Sequence, residues 1–166
     1  MSSNIKLVPA SDPVLRQRAD VIPDVQQANA VSLEMIEICK RFNGIGLAAP
    51  QVGLPWRLIV VAIAPKQLPR QWCVLHDPVI KRTFGAKDEL GEEGCLSMPD
   101  KKVWVRRHRV IEIEARVLRY GPEAFAWAPI RRSTLKFEGL AARCVQHELD
   151  HLEGVLIDKY IQEARS

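Results

Sequence analysis

The sequence lacks any hydrophobic run long enough to cross a lipid bilayer. Its longest apolar stretch, residues 58–64, is far shorter than the roughly 20 residues that a transmembrane helix needs. The N-terminal residues contain neither the apolar core of a secretory signal nor the arginines of a transit peptide. We therefore expect a cytoplasmic protein with no membrane partner.

Cysteine is also scarce. The four cysteines are spread along 166 residues and are too few and too dispersed for a disulfide framework. Charge of one sign is in small excess, with a formal net charge of +4. That excess permits a polyanionic neighbour such as RNA without requiring one. The fractions of hydrophobic residues (47%) and charged residues (27%) are ordinary for a globular protein, and the length fits a single domain, residues 1–166.

Hydrophobic periodicity predicts two helices. Apolar residues at steps of three and four predict a helix over residues 24–43, with Asp24 as its N-cap. A second helix, about residues 138–152, is apolar nearly all round and is therefore predicted to lie inside the molecule.

Strands are predicted between the two helices. Residues 57–64 and 72–81 have the composition of buried strands, and the strict alternation over residues 110–117 predicts a half-buried antiparallel strand. A turn at Gly121-Pro122 is predicted to lead into a return strand that ends near Phe137. The combination predicts an α+β fold, a single domain with antiparallel strands packed around the buried second helix.

The second helix contains the segment His147-Glu148-Leu149-Asp150-His151. Residues four apart lie one turn above each other on a helix, so both imidazoles can share a metal ion. Glu148 points about 100° away from His147 and can serve as a general base without being a ligand. A polar, exposed helix turn is the alternative, but it fits an otherwise apolar helix poorly.

A catalytic metal site usually takes three protein ligands and leaves one position for water. Cys95 is the best third candidate, because it lies in a polar segment with a preceding glycine, where no packing argument holds it. His108 competes less well because arginines flank it, and His76 is predicted to be a capping or surface histidine. The other cysteines lie on apolar segments and are predicted to be core thiols: Cys39, Cys73 and Cys144.

A third segment, residues 44–51, combines glycines and small residues that allow a ligand or a chain to approach the backbone. It has no phosphate-loop or dinucleotide pattern. A helix end running into a tight strand would account for the glycines but not for Gln51.

These three segments, residues 44–51, 93–97 and 146–154, resemble the three signature motifs of peptide deformylases and occur in the same order. Residues 12–16 also resemble the N-terminal segment of that family, so the likeness covers nearly the whole chain. The resemblance implies the following residue roles: metal ligands Cys95, His147 and His151; general acid/base Glu148; oxyanion donors Gln51 (side-chain amide) and Leu96 (backbone N–H); substrate backbone pairing by Gly46; and a methionine pocket lined by Ile45 and Cys144.

The implied activity is hydrolysis of the formyl group from N-formylmethionyl peptides, with Fe(II) as the typical metal and zinc, nickel or cobalt as substitutes. The chain departs from the family in having Lys101-Lys102 where an arginine is common, and in a longer connection over residues 120–136. Many bacterial members continue into a C-terminal helix that helps them dock on the ribosome, whereas this chain stops at Ser166. A transient ribosome contact and the oligomeric state therefore stay open.

Two alternatives compete with the deformylase: an endopeptidase built on the same helix motif, and a metal-stapled module that binds nascent chains or RNA without turnover. Structural metal sites are normally closed by four ligands, so three ligands and a spare glutamate favour a catalytic site. Residues 101–109 with Arg131-Arg132 could contact ribosomal RNA, but a solvated hairpin face is the favoured interpretation of these charges.

Overall fold

A computed structural model describes residues 5–63, 70–87, 89–120 and 131–163, and these residues contain three α-helices and seven strands. The helices are α1 (Val25–Arg41), α2 (Gly139–Leu152) and α3 (Asp158–Glu163). The strands are β1 (Gly46–Ala48), β2 (Leu58–Ala62), β3 (Trp72–Phe84), β4 (Glu89–Cys95), β5 (Met98–Arg107), β6 (Val110–Tyr120) and β7 (Arg131–Glu138).

Five of the strands form one antiparallel sheet in the order β1-β2-β3-β6-β7, and β4 and β5 form a separate hairpin. Alternate residues of β2 point to opposite faces of the sheet. Ile59 and Val61 belong to the cluster that includes the apolar residues of α2, whereas Leu58 and Val60 belong to the cluster that includes α1. The sheet therefore lies between α1 and α2, which confirms the predicted α+β class and the interior position of the second helix.

Both predicted helices are present, and their ends have local causes. The Asp24 carboxylate accepts hydrogen bonds from the backbone N–H groups of Gln26 and Gln27 at 2.8 and 3.1 Å, as an N-cap should. After α1 the chain turns at Asn43, whose φ is +52°. The backbone N–H of Gly44 then donates to the Cys39 carbonyl, and the chain enters β1 directly.

The predicted strands correspond to β2, β3, β6 and β7. β3 extends three residues beyond its predicted end, and β7 ends at Glu138, next to the predicted end at Phe137. The alternation in β6 is confirmed, because Ile111, Ile113 and Ala115 are fully buried while the intervening side chains are partly exposed. The predicted turn at Gly121-Pro122 lies outside the described residues. None of the helices in the described ranges has the length and apolar composition of a membrane span.

Three expectations about polar residues were wrong. His76 is not at the surface: it lies within β3 with 0% of its surface exposed, and burial beside Arg116 lowers its pKa to about 4. Cys95 does have packing around it, since it belongs to a cluster with Val103 and Val105.

Arg107 is the third case, because it is buried instead of lying on the solvated face of the hairpin. The alternation of β5 places Val103, Val105 and Arg107 on one inward face. The Arg107 guanidinium is paired there with Glu93 at 2.9 Å and with Asp150 at 2.7 Å.

Candidate metal centre

Three buried side chains bring potential metal ligands together. The thiol of Cys95, at the end of β4, meets the imidazoles of His147 and His151, which lie one turn apart on α2. The ligand atoms all lie within 4.8 Å of one another. The Nε2 atom of His151 is 3.4 Å from Cys95 Sγ and 3.2 Å from His147 Nε2.

The chemistry of this donor set fits a divalent transition metal. One thiolate and two imidazoles are ligands typical of zinc and of related first-row metals. Two imidazole nitrogens that face each other at 3.2 Å can share one proton or jointly bind one cation. His76 and His108, the competing candidates, do not belong to the cluster.

Glu93 is the principal partner of the cluster. Its carboxylate is 3.0 Å from His147 Nδ1 and accepts two hydrogen bonds from Arg107 and one from Arg143. Burial alone would raise the pKa of Glu93, but the hydrogen bonds from His147 and Arg107 lower it to about 2. The ionised carboxylate can accept a hydrogen bond from the Nδ1–H of His147, which directs Nε2 towards the cluster, where a metal can replace the Nε2 proton.

No pattern in the sequence indicates a role for Glu93, Arg107 or Arg143 at the site. Their partners come from three separate elements, β4, β5 and α2, so no spacing along the chain could reveal the contacts. The one available signal was the rule that buried carboxylates are paired, and it applies only after burial is known.

The pKa values of the cluster reflect burial and mutual charge. Burial would lower the pKa of His147, but hydrogen bonds to Cys95 and Glu93 raise it to about 10. Burial and the neighbouring His147 lower the pKa of His151. Burial raises the pKa of Glu148 to about 7, and its Oε2 atom has no hydrogen-bond partner among the described residues.

Gln51 is held with its amide nitrogen towards the cluster. Its Oε1 atom accepts a hydrogen bond from the backbone N–H of Ala48 at 2.9 Å. Its Nε2 atom therefore faces Cys95 Sγ at 3.6 Å and Ser97 Oγ at 3.3 Å. Gln51 lies in a short 3₁₀ helix, Ala49–Val52, that follows β1 directly.

A cavity of about 530 Å³ opens beside these groups. It is lined by β1 and the residue before it, by the hairpin and by α2, so the three segments singled out in the sequence meet at one place. Among the predicted site residues, all except His151 line this cavity: Ile45, Gly46, Gln51, Cys95, Leu96, Cys144, His147 and Glu148.

Comparison with known proteins agrees with this geometry. The sequence profile of the polypeptide deformylase family matches residues 5–166. The chain belongs to this family. Peptide deformylase 2 of Gloeobacter violaceus is 40% identical over 146 residues, which cover 87% of this chain and 72% of that protein.

Solved deformylase structures share the fold. A probable peptide deformylase from Synechococcus phage S-SSM7 superposes with a TM-score of 0.81 at 34% identity, over 94% of this chain and 99% of that one. A class I type b peptide deformylase from Acinetobacter baumannii, with Met-Ala-Ser bound, superposes with a TM-score of 0.76 at 28% identity, over 96% and 99%. The deformylase relatives favour a metal-dependent hydrolase over both the endopeptidase and the non-catalytic module.

Metal binding by this cluster is testable with Cys95→Ala. We expect the unmodified deformylase to bind about one equivalent of Co(II), and Cys95→Ala to lose most of that affinity because it removes the charged ligand. The matched control is Cys73→Ala, which removes a buried thiol from β3. Equilibrium dialysis measures the bound metal, and equal Co(II) binding by both variants would contradict the assignment of Cys95.

Proposed function

We propose that this deformylase removes the formyl group from the N-terminal methionine of newly made polypeptides and releases formate and a free α-amine. The observation that carries the proposal is one cavity that holds a thiol–imidazole cluster, an unpartnered glutamate oxygen and an oriented amide. The bound Met-Ala-Ser in the Acinetobacter enzyme supports a methionine-first peptide as ligand. Such substrates imply a place of action in the cytoplasm, close to the ribosome.

Cys95, His147 and His151 would hold the metal, which we propose is Fe(II) in the native enzyme. When bound, a divalent metal supplies Lewis acidity, which lowers the pKa of a coordinated water to about 7 in favourable cases and polarises the formyl oxygen. The thiolate of Cys95 brings one negative charge to the ligand set. A nearby general base therefore matters more than it would beside three neutral imidazoles.

Glu148 is the proposed general acid/base. Its pKa of about 7 suits a group that must both accept and donate a proton near neutral pH. The carboxylate takes a proton from the attacking water as the new C–O bond forms. It then delivers that proton to the leaving amine nitrogen as the C–N bond breaks, so that the carboxylate is regenerated.

Gln51 and the backbone N–H of Leu96 are proposed to stabilise the negative charge that develops on the formyl oxygen. The bond from Ala48 to Gln51 Oε1 fixes the direction of the amide before substrate arrives. A preorganised donor of this kind is typically worth about 2.7–4 kcal/mol at the transition state.

Gly46 allows the substrate backbone to pass close to Glu148. A Cβ atom at this position would lie 2.8 Å from Glu148 Oε1 and would also collide with Cys144 Sγ, so a side chain here would disturb both residues. Ile45 and Cys144 lie beside it, with the thiol donating to the Ile45 carbonyl at 3.4 Å, and we propose that they line the methionine pocket.

The first test of the function is formate release from two peptides. We expect metal-loaded enzyme to act on formyl-Met-Ala-Ser with a kcat/KM roughly tenfold or more above that for formyl-Asp-Ala-Ser, because a carboxylate is costly to place against Ile45 and Cys144. Equal values would contradict the pocket assignment. No formate from either peptide would contradict the proposed function itself.

The role of Glu148 is tested by Glu148→Gln, which keeps size and hydrogen bonding but cannot accept a proton. We expect turnover to fall by roughly 10²–10⁴-fold with bound metal still near stoichiometric. Glu138→Gln, an exposed acid-to-amide change directly before α2, is the matched control and should leave turnover unchanged. Loss of metal in Glu148→Gln would instead make this residue a ligand.

The metal assignment predicts sensitivity to oxygen. A thiolate-ligated Fe(II) centre with an open position reacts with dioxygen, so enzyme purified in air should lose activity with time. Reconstitution with nickel, which resists oxidation, should prevent the loss. Metal analysis alongside the activity time course provides the measurement, and full activity that persists in air with zinc alone would argue against iron.

A further inference from the structure

Arg143 joins helix α2 to both strands of the β4–β5 hairpin. It lies one turn before His147 on α2, with 8% of its surface exposed. Its Nη1 atom donates to the Val105 carbonyl at 2.8 Å and to the Glu93 carboxylate at 2.9 Å, and lies 3.4 Å from the Gly91 carbonyl. Its Nη2 atom donates to the carbonyl of Glu89.

The guanidinium of Arg143 packs against Gly91 of the hairpin, where a side chain would otherwise stand. A Cβ atom on Gly91 would lie 2.8 Å from Arg143 Cζ and 2.9 Å from both Nε and Nη2. Distances below 3.0 Å are not tolerated without movement, so any other residue at this position must displace the guanidinium. Gly91 and Arg143 therefore form a complementary pair across two elements that are far apart in the chain.

The contact matters because the metal ligands are divided between these two elements. The hairpin carries Cys95, while α2 carries His147 and His151. Within the described ranges the hairpin forms its own two-stranded sheet, and neither of its strands is paired with the five-stranded sheet. Side-chain contacts therefore contribute to its position relative to α2, and Arg143 reaches three of its backbone carbonyls.

We propose that Arg143 is a positioning residue for the metal centre, that it sets the placement of Cys95 relative to the two histidines, and that Gly91 is required for it to do so. The proposal rests on the proposed function in one respect, the assignment of Cys95, His147 and His151 as ligands. Arg143 lines the cavity, but its hydrogen bonds among the described residues go to the hairpin and to Glu93, not to Cys95, His147 or His151. It acts through the hairpin backbone and through Glu93, which in turn is bonded to His147.

The test measures Co(II) affinity and the thiolate-to-Co(II) charge-transfer absorption, which reports the Cys95–metal bond directly. We expect Arg143→Met to weaken Co(II) affinity by about 10–100-fold, the usual effect of losing a group that supports metal ligands, and to change the absorption band. Arg143→Lys should be intermediate, because one ammonium cannot replace the planar fork of donors. Arg132→Met, a surface arginine on β7, is the matched control.

Gly91→Ala completes the experiment as a double-mutant cycle. In the presence of Arg143 we expect it to weaken Co(II) affinity, because the new methyl group displaces the guanidinium. In the Arg143→Met background the same change should have little further effect, since the flexible thioether can move aside. Equal losses in both backgrounds would show that Gly91 does not act through Arg143.

Unchanged Co(II) affinity and absorption in both Arg143→Met and Arg143→Lys would overturn the proposal. If Arg143→Met does not fold, as judged by circular dichroism, Arg143→Lys decides alone: a weaker affinity supports the proposal and an unchanged one overturns it. Formate release by the unmodified enzyme is a separate readout. Its absence would count against the proposed function, while the Co(II) comparison would still test Arg143.

Discussion

The buried Glu93 carboxylate is the interaction on which the rest of the site depends. It interacts with three side chains, from Arg107 on β5 and from Arg143 and His147 on α2. A buried charge is unfavourable unless it is paired and hydrogen-bonded, and here two guanidinium groups provide the pairing. Removing one partner of a buried ion pair usually destabilises a protein more than replacing the whole pair by apolar residues. Glu93 therefore joins the hairpin to the helix, and removing any one of its charged partners is expected to weaken this connection.

The same network orients the candidate metal ligands of the cluster. Glu93 orients the His147 ring through Nδ1, and Arg107 extends the network to Asp150, within the helix motif, and to Tyr160 on α3. The Tyr160 hydroxyl also donates to Asp150 at 2.7 Å, so the short last helix is bonded to the elements that carry the ligands. The packing of α3 and the orientation of His147 are thus parts of one hydrogen-bonded system.

Much of this fold and site could be predicted from the sequence, because the signals were local. The helix containing His147 and His151 followed from periodicity, and motif order with the family resemblance pointed to the three side chains that the structure brings together as candidate ligands. His76 was predicted to be a capping or surface residue although the residues directly before it, 72–75, are apolar, and its position within that strand determines its complete burial. The prediction for Arg107 was wrong because a basic run indicates a solvated face. The alternation of β5 nevertheless places this one arginine of the run on the buried side.

The polar residues of α2 show why this helix can lie in the interior. Arg143 is bonded to the hairpin, Gln146 bonds the backbone of His108 on both its N–H and its carbonyl, and His147 is bonded to Glu93. His151 meets Cys95, although its Nδ1 atom has no partner among the described residues and it does not line the cavity. Glu148 differs from the others, because it combines an unpartnered oxygen with a place in the cavity wall. Folding alone gives no reason to keep a buried carboxylate in that condition, since leaving it unpaired is unfavourable. The general acid/base role proposed for Glu148 requires a free oxygen at the cavity, and that proposed role accounts for both the burial of Glu148 and its missing partner.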